Sequence, residues 1–136
     1  MTATQRIKDT LVSYLSDNSP DDSITVADAN TRAEIALPIL AVDIQSAAAH
    51  SVALCMVTTA EVAITLRAHA GDEDDADIPT WIDQIESLFF DKSAMLDVLN
   101  QSEVTVYDWT YNGSVQTWDE SLLEVSFTAS VILQRI

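Results

Sequence analysis

The sequence predicts a single α+β domain over residues 1–136: a mostly antiparallel twisted sheet, with an N-terminal helix and a central helix pair packed on it, and a closing β-hairpin. Three observations predict it. One apolar stripe at helical spacing opens the chain, a second follows Pro79, and two long segments, 51–70 and 115–135, alternate apolar and polar residues. These segments come in blocks rather than in strand–helix–strand alternation, which favours helices gathered on one face of an antiparallel sheet. A chain of 136 residues buries roughly 68% of its unfolded surface. Only two glycines and three prolines leave little room for linkers.

The first element is a helix over residues 3–16. Ile7, Leu11 and Leu15 recur at i, i+4 and i+8 with Tyr14 beside them, while Arg6, Lys8 and Asp9 fall on other faces. Asn18, Ser19, Pro20, Asp21 and Asp22 break it, because Pro and Asx residues favour turns. Residues 23–29 have room for a short edge strand through Ile24 and Val26. Residues 34–45 read as a strand, with Pro38 confined to its start or to a bulge because it has no N–H for the ladder. Residues 46–50 fit either a loop or a helical turn. In the strand that follows, Val62, Ile64, Leu66 and Ala68 face one way and Glu61, Thr65, Arg67 and His69 the other. That pattern belongs to a sheet packed on one side and wet on the other.

Gly71 ends this strand, and Pro79 and Thr80 open the second helix, Thr80 and Asp83 having the spacing of a capping box. Ile82, Ile85, Leu88 and Phe89 make its buried stripe. A short third helix over 93–99 has Ser93 as N-cap and turns Met95, Leu96 and Leu99 inward. Asn112-Gly113 is the dipeptide that most favours a tight hairpin, since both residues tolerate positive φ, so strands are expected over 103–111 and 115–135. In the last one Leu123, Val125, Phe127, Ala129, Val131 and Leu133 alternate with polar positions.

Charge excludes several functions. Twenty-two acidic residues face six basic ones, a formal net charge of -16. The first 68 residues balance at -4 and the remainder at -12. Such a surface repels nucleic acid and anionic lipid. The single Cys55 forms no intrachain disulfide and sits in an apolar run, as a small buried hydrophobe does. The first twenty residues lack the apolar core of a secretory signal, and the apolar region 36–57 is broken by Asp43, Gln45, Ser46, His50 and Ser51. A chain in a reducing, intracellular compartment is expected.

No catalytic motif is present, and no cofactor or metal is expected. With glycine only at 71 and 113, there is neither a phosphate-cradling loop nor a nucleophile elbow. His50 and His69 have no His or Cys at zinc-ligand spacing. The acidic run Asp72, Glu73, Asp74, Asp75 and Asp77 does not fit a calcium loop: in one register Ile78 stands where glycine is required and Gln84 replaces the final Glu, and in the other Ala76 takes a ligand position. The run reads as a solvated loop or a looser cation site. Tyr107, Trp109 and Tyr111 are expected on one face of their strand, opposite Val104 and Val106, with Trp118 after the turn. Trp109, Tyr111 and Trp118 then serve either cross-strand packing under a helix or a contact between subunits.

The segment Ala36-Leu37-Pro38-Ile39-Leu40-Ala41-Val42 resembles the "LP-x-hydrophobic-x-V" strand of phage tail terminator (tail completion) proteins. Residues 59–70 are similar to that family's long alternating strand. An acidic stretch and a Trp-containing helix, here Trp81-Ile82-Asp83-Gln84-Ile85-Glu86, follow in the family's order, then a short helix at 95–99. Tyr107-Asp108-Trp109, Trp118 and residues 123–131 resemble its closing hairpin, so the likeness covers residues 3–134. The resemblance implies a mixed sheet flanked by helices in a homohexameric ring on the head-proximal end of the tail tube. There the ring stops tube polymerisation and joins the tail to the head connector or neck protein. It implies a virion location, assembly in the host cytoplasm, the tail tube protein as partner, and DNA that passes through the lumen without specific binding. Asp72, Glu73, Asp74, Asp75 and Asp77 are then lumen or interface residues that keep duplex DNA from adhering, since phosphate binding needs Lys or Arg. Competing readings are a head-completion or neck connector protein, an acidic DNA-mimicking inhibitor, and a small enzyme with dispersed catalytic residues.

Overall fold

A computed structural model describes residues 2–30, 38–52, 55–69, 78–119 and 122–134. The first helix, α1 (Ala3–Asp17), starts at Thr2, whose Oγ1 accepts the Gln5 N–H at 3.1 Å and satisfies one of the donors a helix start leaves open. Ile7, Leu11 and Leu15 are buried, as their spacing requires. Asn18 closes the helix by donating its backbone N–H and its Nδ2 to the Tyr14 carbonyl. Lys8 departs from the expectation of a solvent face. Its residue is only 6% exposed, and its ammonium reaches Asp28 Oδ1 at 3.3 Å and Asp43 Oδ1 at 3.8 Å. An aliphatic stem packs along apolar neighbours while the charged head finds carboxylates, which a helical wheel alone does not reveal.

Five strands form one sheet in the order β1-β2-β3-β5-β4. β1 (Thr25–Asp28) lies on one edge, parallel to β2 (Ile39–Val52); the other pairs are antiparallel. Pro38 stands just before β2 and its carbonyl accepts the Thr25 N–H at 3.1 Å, so its missing donor disturbs no ladder. β2 continues through 46–50 as strand, not as loop or helical turn, after a bulge between Ile44 and Ser46. It turns back so that Val52 pairs with Cys55, the start of β3 (Cys55–His69).

α2 (Ile78–Phe90) begins one residue earlier than Pro79, so Thr80 is already helical and is not the cap. Pro79 is tolerated in this first turn because its absent N–H would have had no intrahelical acceptor. α3 (Lys92–Leu99) is capped by Asp91, whose Oδ1 accepts the Ala94 N–H at 3.1 Å, with Ser93 inside the first turn. An aspartate caps as well as serine and adds favourable charge at the positive end of the helix dipole. A 3₁₀ turn (Asn100–Ser102) follows. Asn100 then ties the helix end to the next strand, its Oδ1 accepting the Val106 N–H at 2.9 Å and its Nδ2 donating to the Val106 carbonyl at 3.2 Å.

The hairpin of β4 (Val106–Asp119) and β5 (Leu122–Gln134) corrects the expected turn. β4 continues past Asn112-Gly113 without reversing and stays paired with β5 as far as Asp119↔Leu122. Tyr111 pairs with Ala129 and Gly113 with Thr128, leaving Asn112 as the extra residue of a bulge. Gly113 uses its positive φ of 111°, but to bend a strand rather than to reverse it. A second bulge leaves Tyr107 extra between Val106↔Leu133 and Asp108↔Ile132. Register is decided by the apolar face of β5, whose Leu123, Val125, Phe127, Ala129, Val131 and Leu133 are all buried.

The pairing registers put those residues on the same face as Val62, Ile64, Leu66 and Ala68 of β3 and Leu40 and Val42 of β2. Ile7, Leu11 and Leu15 of α1, Ile82, Ile85 and Phe89 of α2, and Met95 and Leu99 of α3 join them in one cluster. Each such side chain contributes about 1.5–3 kcal/mol when fully buried. The opposite face carries polar and small residues, among them Thr65, Ser126 and Thr128, with Arg67 and Glu124 paired at 3.2 Å.

Candidate functional site

Two bulges decide where the aromatic residues of β4 point. Each extra residue reverses the inside–outside alternation, so Val106 and Trp109, three apart, both face the helices. Trp109 is 1% exposed, and its Nε1–H donates to the Phe89 carbonyl at 2.8 Å. That carbonyl is among the last of α2, where no intrahelical donor remains. Phe89 packs against Trp109, Tyr111 and Phe127 at centroid distances of 6.0, 5.7 and 5.7 Å. Trp109, weighed as a residue for contact between subunits, is therefore a core residue of its own chain. Tyr107, expected beside Trp109 on one face, is exposed instead because it is the bulged residue.

Tyr111 is half-buried. Its hydroxyl donates to Glu86 Oε2 at 2.9 Å, and Phe90 stands edge-on to its ring at 4.9 Å. Burial, then the Glu86 carboxylate, pushes its phenol above the ordinary tyrosine range, so it stays a neutral donor.

Trp118 lies past both bulges and pairs with Leu123, on the helix side of the sheet but beyond the helices' full cover. It is 59% exposed. Together with Ile78, Pro79, Ile82, Asp83, Glu86, Gln116 and Leu123 it lines a groove of about 400 Å³ between α2 and the end of the β4–β5 ribbon. Ile78, Ile82 and Leu123 form a buried apolar floor, while Pro79, Asp83, Gln116 and Trp118 form an exposed rim. The two reversals cancel between Val106 and Trp118, so plain alternation already puts Trp118 on the helix side; that α2 leaves it uncovered there is decided by packing alone.

The acidic run Asp72, Glu73, Asp74, Asp75 and Asp77 lies outside the described residues. Among the described residues no three His, Cys, Asp or Glu side chains come together as metal ligands, and no buried side-chain polar atom lacks a hydrogen-bond partner. The charged pairs read as structural. Arg6 binds Glu103, Lys92 binds Asp108 at 2.8 Å, and Lys8 joins α1 to β1 through Asp28. Desolvation pushes the Asp28 carboxyl up, but hydrogen bonds from the Asn30 N–H, Gln5 and Lys8 outweigh it and hold it below the ordinary range. The Lys92 hydrogen bond lowers Asp108 in the same way. No described helix is long and apolar enough to cross a membrane.

No family model and no curated protein sequence matches this chain. A solved structure does. The chain is similar to one in the "virion of native gene transfer agent (GTA) particle", with a TM-score of 0.51 and 10% sequence identity. The likeness covers 98% of this chain and 92% of that one. At this identity what is shared is the fold, from end to end and with neither chain much longer than the alignment. The arrangement described here, five strands with their helices on one side, is therefore one that a virion particle also contains.

Proposed function

We propose that this chain is a structural protein of a phage-like virion, without catalytic activity, and that its place is the head-proximal end of a tail. In this reading copies of the chain form a hexameric ring on the tail tube. The ring ends tube polymerisation and offers the surface that joins the tail to the head connector, while DNA passes without specific binding. The observation that carries the virion part is the nearly full-length likeness to a chain of a gene transfer agent particle. Support for the tail-end role comes from the order of segments along the sequence: the Leu37-Pro38 strand, the long alternating strand, the Trp81 helix and the closing hairpin. The charge of -16 agrees with a surface past which DNA moves freely.

Two measurements test this. Native mass spectrometry and negative-stain imaging of the purified protein should show a sixfold ring, either alone or on the ends of tail tubes. Added to polymerising tube protein of its own virion, it should shorten the tubes in proportion to its concentration. A protein that leaves tube length unchanged and binds the portal-side connector instead is a neck protein. One that forms no ring and binds neither refutes the virion reading.

A further inference from the structure

We propose that the groove beside Trp118 is a docking site for a segment of another protein that carries an apolar side chain flanked by Lys or Arg. The floor of Ile78, Ile82 and Leu123 is apolar, and Trp118 stands 59% exposed at its edge. An exposed tryptophan over an apolar floor is the composition of an interface centre, where tryptophan anchors dominate the binding energy. Rim residues of both walls, Pro79 and Asp83 on α2 and Gln116 and Trp118 on β4, are exposed, whereas a pocket for a small molecule encloses most of its ligand. An extended segment laid along the groove fits better than a compact ligand.

Charge complementarity selects the occupant. Among the described residues, the charged ones lining the groove are Asp83 and Glu86, both acidic. Glu86 already accepts the Tyr111 hydroxyl through one oxygen, which holds its side chain at the groove wall. A segment with Lys or Arg beside its apolar anchor gains from both carboxylates, and an acidic segment is repelled. A second copy of this chain is a poor occupant. It brings twenty-two acidic residues against six basic ones, and Arg6, Lys8, Arg67 and Lys92 are each already paired to a carboxylate. Arg32 and Arg135 lie outside the described residues. The inference stands apart from the tail reading, since a chain that forms no ring still presents this groove.

A random dodecapeptide display library, selected in parallel on the full chain and on its Trp118→Ser variant, tests the inference. Trp118 is largely exposed, so the variant should keep the wild-type circular dichroism spectrum. Peptides enriched on the wild type should share an apolar residue flanked by Lys or Arg. Synthesised singly, they should bind the Trp118→Ser variant at least tenfold more weakly, and Asp83→Lys, a change on an exposed helix surface, should also weaken them severalfold. Amide shifts on titration should centre on the Trp118 indole and residues 78–86. Failure to enrich any peptide on the wild type over Trp118→Ser overturns the proposal. So does a consensus without basic residues, or shifts centred elsewhere on the acidic surface.

Discussion

Replacing Trp109 with Phe tests whether this side chain holds the core together or serves a neighbouring subunit. The indole donates to the Phe89 carbonyl at 2.8 Å, and phenylalanine has no donor to replace it. An unpaired buried carbonyl costs about 1–3 kcal/mol. The smaller ring also leaves a void beside Phe89 and Val131; one or two lost methylene equivalents cost about 0.8 kcal/mol each. Together the loss is about 3 kcal/mol. For a domain of this size that lowers Tm by about 10 °C. With a urea m-value near ~1.5 kcal/mol/M, the midpoint falls by about 2 M. The assay is urea unfolding followed by far-UV circular dichroism, at one protein concentration so that any association contributes equally to both proteins. Trp118→Phe is the control, because an exposed ring should change stability by less than about 0.5 kcal/mol. The reasoning is refuted if the Trp109 variant unfolds within about 0.5 kcal/mol of wild type, or if the Trp118 variant loses as much. A subunit-contact role for Trp109 would instead spare the folding of the protomer and weaken only its association.

Two other substitutions probe separate features. Asp28→Asn removes the nearer of the two carboxylates that face the buried Lys8 ammonium, leaving Asp43 at 3.8 Å, and should cost about 1–3 kcal/mol at pH 7. Asp28 is held below its unfolded pKa of about 3.9, so its contribution is complete above that value and is lost as pH falls through the folded one. The stability gap between the two proteins should therefore begin to narrow as pH falls below about 4 and close once Asp28 is protonated in the folded state, and a gap that does not narrow in acid rules out this ion pair as the cause. Gly113→Ala meets no neighbouring atom within 4 Å but forces φ of +111° on a residue with a Cβ, at a cost of about 1–2 kcal/mol. An unchanged or raised thermal midpoint would show that the bulge relaxes freely.

Local patterns made much of the fold legible. Ile7, Leu11 and Leu15 defined α1, and the six apolar residues of β5 marked its buried face. Cap positions were harder to read, because Asp91 and Ser93 both cap well and only the backbone path chooses between them. Lys8 also misleads a helical wheel: its burial depends on Asp28, twenty residues away, and on Asp43. The acidic run at Asp72–Asp77 stands out in the sequence, yet it lies outside the described residues.

The sequence by itself determined the α+β class, the N-terminal helix, the central helix pair and the apolar faces of β3 and β5. Those follow from periodicities that each segment carries within itself. Only the tertiary structure decided where the last hairpin turns, which aromatic residues enter the core and that a groove opens beside Trp118. The physical reason is the bulge. Asn112-Gly113 has the same local freedom in a turn as in a bulged strand, and pairing with β5 decides which one forms. Each bulge reverses the alternation of what lies beyond it: the first sends Trp109 inward, and the second returns Trp118 to the side of Val106, where it stands at the rim of the groove.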